Sequence, residues 1–499
     1  MSIGAGTPNS ERRCHCSEQS SNTCNEEILA RRLPLSGAAK SKSRVRQRVQ
    51  DATEANHPEE VLQLAVIMPH AWRGGMLKVA IELCHRLLDR RHGGRGVRPL
   101  LCVPSHYNLK DIVGLNPDIP VVPFELHCVS SDDPRIKGKI PADRYPKIGK
   151  WPITFSLPLD ESGSILSSHC WISLTGLYHF GPLLPWRPYA VFAPDFIQRY
   201  VPKIYGDDIA SGAWLTNAYQ NMTMFAARAV FATTPKTFSD VTVFAGVPSR
   251  RVQLFPLFHD ASTGRKKGSS LVVKQENIPA NKARKTTENL PSIEDMKNGF
   301  REDSNIFSKK LLERDYFVWV TNSTLHKNHA NALDALIEYY INMSGNLDCY
   351  IVGPTTQFFI DENGSIPYIS EISRRLQAAM KSTGKICLVG EVTAHAYDML
   401  VARAKFIWHN VLYDNGTFSV IEAAELGTPA VVSDYPQMRF IAQAYGLEPR
   451  WFDPRDPLAA ADALKQQETS GRRAAAPKLA LNFESELDSA VSLLLRRLS

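Results

Sequence analysis

Three charged side chains in the second half of this 499-residue chain have the types and spacing for chemistry on an anionic ligand. Asp414 and Glu422 stand eight positions apart. Asp414 opens a turn, Asp414-Asn415-Gly416-Thr417. Glu422 falls inside a helical pattern whose Phe418, Ile421 and Leu426 lie near one face. Lys327 sits upstream on a polar loop, Thr321 to Asn328. A cation and the free N–H groups of a helix start suit phosphates, and a carboxylate suits ribose hydroxyls. The set predicts a nucleotide-linked ligand. Each residue also has a plain reading: Asp414 as a helix cap, Glu422 as a surface acid, Lys327 as a solvated lysine.

These residues need strands to place them. Residues 404 to 434 read as strand, loop, helix, stop and strand. Lys405 to His409 is a β-rich run, Asn415 or Thr417 caps the helix, Gly427 ends it, and Ala430 to Ser433 resumes as strand. The same alternation starts at Tyr316. Strands at Phe317 to Val320, Asp348 to Val352 and Ile386 to Val389 alternate with helices at Ala330 to Tyr340, Ile369 to Ser382 and Ala394 to Ala402. This predicts a parallel sheet with helices on both faces, and Gly390 follows one of its strands.

The first half repeats the plan. Leu64 to Pro69 is a short apolar run suited to a buried parallel strand. Gly74 and Gly75 follow it, and Leu77 to Leu88 has helical periodicity. The glycine pair lets backbone approach a ligand, although it forms neither a Walker A loop nor G-x-G-x-x-G. Residues 104 to 160 read as irregular, with one strand at Val121 to Glu125. Trp171 to Leu174, Tyr189 to Ala193, Ala229 to Thr233 and Val252 to Phe255 read as further strands. Asp195 reads equally as a helix cap or an acceptor contact. Trp72, Trp171 and Trp186 read as core.

Composition fits a globular protein: 43% hydrophobic, 22% charged, net charge +7. The basic run Arg31 to Arg48 reads as a solvated tail. It excludes no lipid contact, so peripheral membrane contact stays open, but it does not make a nucleic-acid patch. The nine cysteines show no disulfide spacing. Cys14, His15, Cys16 and Cys24 lack a partner pair at zinc spacing, so no metal site is expected. No apolar run is long enough to cross a membrane and no signal core stands at the start, so a cytoplasmic setting is expected. The expected organisation is a disordered tail over 1–58, α/β domains over 59–260 and 314–457, a linker or insertion over 261–313, and C-terminal helices over 458–499.

Asp414 to Glu422, followed by Gly427-Thr428-Pro429, resembles the E-x7-E stretch of retaining GT-B glycosyltransferases of family 4. Phe317 to Asn328 is similar to that family's donor-phosphate loop, and Phe452-Asp453-Pro454-Arg455-Asp456-Pro457 to its Phe-Asp-Pro-x-Asp-Pro segment. Phe244 to Pro256 resembles the end of its first domain. The resemblance covers roughly residues 62 to 466. It implies two Rossmann-like doubly wound parallel-sheet domains facing a central cleft. It also implies metal-independent transfer, with retention, from a nucleoside-diphosphate sugar to a saccharide or lipid-linked acceptor, as in surface polysaccharide synthesis. No cofactor is implied beyond the sugar nucleotide as co-substrate. The implied site has Asp414 and Lys327 as catalytic groups. Glu422, Asn322, Gly390, Asn415, Gly416, Thr417, Gly74, Gly75 and Thr234 would bind the donor, and Asp195 the acceptor. The sequence departs from the family at Asp414, where Glu is usual, at Asn322, where Arg is usual, and at Pro194, where His often precedes the Asp. His70 and His179 are candidates to replace that His. The alternatives are a sugar-nucleotide epimerase of the same architecture and a non-catalytic sugar-nucleotide-binding protein.

Overall fold

A computed structural model describes residues 61–72, 75–88, 90–130, 133, 154–193, 195–201, 210–255, 314–360, 367–415, 418–470, 474, 492–493 and 495–496. Several expectations lie outside these residues. They are the tail over 1–58 with its cysteines, the stretch 261–313, Gly74, Pro194, Gly416, Thr417 and most of the helix expected over 481–495. Asn56–Ser499 form one contact unit.

Two sheets organise that unit. The first has nine strands: β1 (Val61–Ile67), β2 (Arg91–His92), β3 (Arg95–Pro104), β4 (Val121–Ser130), β5 (Thr154–Asp160), β6 (Cys170–Ser173), β7 (Tyr189–Ala193), β8 (Ala229–Ala232) and β9 (Val252–Leu254). Their order is β5-β4-β3-β1-β6-β7-β8-β9, with β2 against β3. All neighbours are parallel except β2–β3 and β4–β5. The chain reverses its strand order between β1 and β6, so a crevice opens beyond their carboxyl ends.

The second sheet has six strands: β10 (Tyr316–Val320), β11 (Asp348–Val352), β12 (Ile386–Gly390), β13 (Ile407–His409), β14 (Ala430–Ser433) and β15 (Arg450–Phe452). All are parallel, in the order β12-β11-β10-β13-β14-β15. Counted from its own first strand this is 3-2-1-4-5-6, the dinucleotide-fold order, and its switch point lies between β10 and β13.

The strands are apolar throughout because both faces are covered. In β10, Phe317 and Trp319 join one core layer while Tyr316 and Val318 join the other. Helices His329–Ile337, Pro367–Thr383 and Pro457–Ser470 cover the first face. Helices Ala394–Arg403, Phe418–Glu425 and Pro436–Tyr445 cover the second.

Within 104 to 160, which the sequence reads as irregular apart from Val121 to Glu125, β4 runs on to Ser130 and Thr154–Asp160 is a further strand. β4 and β5 pair antiparallel over Phe124↔Asp160 to Ser130↔Thr154. The pairing was hidden by Pro123 and Pro158 inside the strands and by the half-exposed positions of β4. β15 was also unforeseen; three residues give too little pattern to read.

The two halves touch. Phe418, at the start of a second-half helix, packs against the cores of both. Leu495, 2% exposed, lies in the first-half core with Leu62, Leu83 and Leu87.

Candidate active site

The second switch point is built by two loops. After β10 the chain makes the turn Leu325–Lys327, and Asn328 takes a left-handed backbone (φ 57) before helix His329–Ile337. Asn tolerates that conformation better than other non-glycine residues. After β13 the chain runs through Asn410 to Asn415. The loops are stitched together: Leu412 N–H donates to the His326 carbonyl at 2.8 Å, and the Asn410 amide donates to the Asn328 carbonyl at 3.1 Å. Asn328 itself donates to the Pro454 carbonyl at 2.6 Å.

That stitching brings Lys327 and Asp414 together. Lys327 Nζ donates to Asp414 Oδ2 at 2.5 Å, with side chains 13% and 10% exposed. Burial alone would raise the Asp414 pKa, but Lys327, then His326 and His409, outweigh it and hold the carboxyl below its usual range. Asp414 Oδ1 also accepts from the Asn415 N–H at 2.8 Å. His326 Nε2 lies 4.0 Å from Asp414 Oδ2, and its buried Nδ1 has no partner. Burial, then Lys327, pushes His326 down to about 4, and likewise His409 to about 3. Both rings are therefore neutral near pH 7, and the ionised pair is Lys327 and Asp414.

Asp195 reaches this pair from the first half. It follows β7, and its Oδ1 accepts from Ile197 N–H at 3.0 Å at the start of helix Ile197–Tyr200. It thus holds the first residue of that helix from one position before the N-cap, Phe196. It also feels Asp414 and Lys327: burial, then the Asp414 charge, raises it to about 7 against the pull of that backbone bond and of Lys327. Asp195 thus lies within electrostatic reach of Asp414, and the two carboxyls are shifted in opposite directions, Asp195 up and Asp414 down.

The remaining expected residues fall as follows. Glu422, with its side chain 14% exposed, is ion-paired to Lys78 of helix Gly75–Leu88, a partner with no local pattern to mark it. Gly75 is the first residue of that helix. A Cβ there would stand 3.0 Å from the Phe418 ring, so its freedom serves the contact between halves. Asn322 folds back to accept from Thr324 N–H at 3.1 Å. Gly390 ends β12 in a left-handed conformation (φ 88) that favours glycine. Thr234 caps helix Pro235–Phe244, accepting from Thr237 N–H at 3.1 Å, and is 1% exposed. Its hydroxyl is engaged at the start of that helix.

The first switch point gathers the two histidines that the sequence could not place. His70 follows β1 and His179 follows β6. Their ring centroids are 4.9 Å apart, and Trp72 lies 4.7 Å from His70. His70 Nε2 pairs with the Leu177 carbonyl at 3.0 Å. Burial, then His179, lowers His70 to about 4. Trp171 is fully buried, as read, and its indole N–H donates to the Ile165 carbonyl at 2.8 Å.

Two half-open cavities lie away from these loops. One of about 580 Å³ is lined by Tyr350, Phe359 and Leu388 among others, and one of about 550 Å³ by Trp451 and Gln466 among others. The first of these is lined by the Arg314–Asp348 ion pair, 3.7 Å apart, whereas the Lys327–Asp414 pair lies on the loops. Among the described residues no cluster of His, Cys, Asp and Glu could hold a metal, and no helix is long and apolar enough to cross a membrane.

No protein-family model matches the chain, and no curated protein does. Solved structures do. Anabaena HepE in complex with UDP and glucose superposes with a TM-score of 0.50 at 11% identity, over 87% of this chain and 100% of that one. HepE in complex with UDP-glucose gives 0.50 at 12%, over 87% and 100%. The fold is GT-B. A UDP-GlcNAc 2-epimerase from Neisseria meningitidis bound to UDP-GlcNAc aligns at 11% identity and a TM-score of 0.43, over 87% of this chain and 100% of that one. Identities this low carry architecture only. Lys327 and Asp414, 87 positions apart, meet because β10 and β13 are neighbours at the switch point of the second sheet.

Proposed function

We propose that this protein is a glycosyltransferase that moves a sugar from a nucleoside-diphosphate donor to a saccharide or lipid-linked hydroxyl, with retention. The observation that carries the reading is the buried Lys327–Asp414 pair at the second switch point, faced by Asp195 from the other half. In this reading Lys327 turns from Asp414 toward the donor diphosphate and stabilises it as it leaves. Such a preorganised cation acts most strongly in a water-poor crevice. Asp414 stays ionised against the positive charge that develops on the sugar. The bond from the anomeric carbon to the diphosphate oxygen breaks, and a bond to the acceptor oxygen forms on the same face. The acceptor proton goes to the leaving phosphate or to Asp195, whose poise near 7 suits proton transfer. Glu422 exchanges Lys78 for ribose hydroxyls. No metal or other cofactor takes part, and surface polysaccharide synthesis is the setting proposed.

UDP is the first nucleotide to try, because HepE was solved with it. The test is a panel of UDP-glucose, UDP-galactose, UDP-GlcNAc and GDP-mannose, read by thermal shift and by release of nucleotide. A ligand that binds only the folded chain raises its melting point. If none of the four binds or is turned over, the proposal falls. Two opposed acids of different poise also suit an epimerase, which would change the free sugar nucleotide in the absence of acceptor. Product analysis without acceptor separates the two.

A further inference from the structure

Asp195 and Asp414 belong to different halves and to loops 219 residues apart in sequence. A short rigid path nevertheless joins them. Asp195 Oδ1 accepts from the N–H of Ile197, the first residue of helix Ile197–Tyr200, and Tyr200 is the last. The Tyr200 ring stacks on Tyr413 at 4.2 Å between centroids with 17° between planes. Tyr413 immediately precedes Asp414.

One carboxylate fixes both rings. Asp240, on helix Pro235–Phe244 and 2% exposed, accepts from the Tyr200 hydroxyl on Oδ1 at 2.6 Å and from the Tyr413 hydroxyl on Oδ2 at 3.3 Å. Lys236, one turn earlier on the helix, neutralises Oδ1 at 2.5 Å, donates to the Tyr200 hydroxyl, and lies over the Tyr200 ring at 4.7 Å. Gln437, from the second half, donates its amide to the Tyr413 hydroxyl. A buried carboxylate is costly unless paired and hydrogen-bonded, and here both oxygens have partners.

We propose that Tyr413 is a positioning residue: through its stack on Tyr200 and its bond to Asp240 it sets the separation of Asp195 and Asp414 across the cleft. The inference rests on the reading above only in taking those acids as the pair that faces the sugar. An error of ~1 Å in such a separation costs about a hundredfold in rate.

The test uses the full chain in two variants. Tyr413→Phe keeps the ring and its stack and removes the hydroxyl; Asp240→Asn keeps the shape and removes the charge. With UDP-glucose, or whichever panel member is active, kcat is expected to fall about tenfold to a hundredfold in both. KM for the donor and the melting point should stay close to those of the unaltered protein. An unchanged kcat, or a loss that follows the melting point, overturns the proposal. A second readout needs no turnover: the Asp195 carboxyl titrated by carbon-13 NMR. The groups that face it are Asp414, Lys327 and the Tyr413 phenol. Its midpoint should drop from about 7 toward the ordinary carboxylate range in both variants, as water enters and Asp414 draws away. An unmoved midpoint overturns the proposal. If the unaltered protein turns over no sugar nucleotide, the proposed function fails, while the titration still decides the role of Tyr413.

Discussion

The two sheets reverse their strand order in the same way and put different chemistry at the reversal. Beyond β1 and β6 stand rings: His70, His179 and Trp72, with His70 held neutral. Beyond β10 and β13 stands a buried ion pair, Lys327 with Asp414. One topology thus supplies a cluster of rings in one half and a charged pair in the other. The fold fixes where a ligand sits, and the loop residues fix which kind. An acceptor sugar ring fits the first description, and a diphosphate fits the second.

The sharpest way to break this contrast is to remove the second half's cation. Lys327→Ala leaves Asp414 buried without its partner, which costs about 3 kcal/mol or more. Donor turnover should be lost with it. The pH response should also invert. In the unaltered protein the Asp414 pKa is depressed on folding, so its stabilisation is present at neutral pH and is lost as pH falls through that depressed value. In the variant burial dominates and raises the pKa, so stability should recover as pH falls. Urea melts at pH 5 and pH 8 check this, the gap between variant and parent being narrower at pH 5.

Asp195→Asn comes next. The Asp195 pKa is raised by burial and by Asp414, so the folded chain binds more protons than the unfolded chain between its ordinary 3.8 and about 7. Stability should therefore decline as pH rises through that window and level off above it. The variant should lack that decline. Its kcat should be about a hundredfold lower, and the limb of the rate profile near pH 7 should vanish.

A smaller effect is expected at the contact between the halves. Glu422→Gln should weaken UDP binding about tenfold, the size of one charge-assisted hydrogen bond. Its stability cost should stay within about 1 kcal/mol, because Lys78 is half exposed and solvent screens the pair. Calorimetry on UDP and a melt in parallel read the two. The smallest effect is reserved for the rings. His70→Asn should raise the acceptor KM a few-fold, on the order of one ring contact, and leave UDP affinity alone. The His70 pKa falls on folding from 6.5 to about 4, so its protonation weakens the folded chain as pH drops through that range. The variant should soften that loss, which melts between pH 7 and pH 4 would show.

Much of the architecture was legible because buried parallel strands are short apolar runs. Phe317 to Val320 and Asp348 to Val352 could hardly be read otherwise. Lys327 and Asp414 were legible as neighbours because each follows such a strand. What stayed hidden depends on pairing at a distance. Tyr413 and Asp240 are 173 positions apart, and neither has a local pattern to mark it. Lys78 reads as an ordinary exposed helix lysine until Glu422 is seen opposite. His326, beside the lysine that was singled out, needed only the question of what its ring would touch. β4 and β5 failed for a different reason: antiparallel pairing at a sheet edge tolerates proline and half-exposed positions, which blurs the apolar run.

Leu495 has a consequence for any attempt to take the molecule apart. It follows the second half in the chain yet fills space among Leu62, Leu83 and Leu87 of the first. The backbone therefore leaves the first half, builds the second, and comes home. A fragment that stops at Ser470 would carry a hole where Leu495 belongs, and a fragment that starts at Tyr316 would carry an apolar side chain with nowhere to go. Neither piece is self-contained.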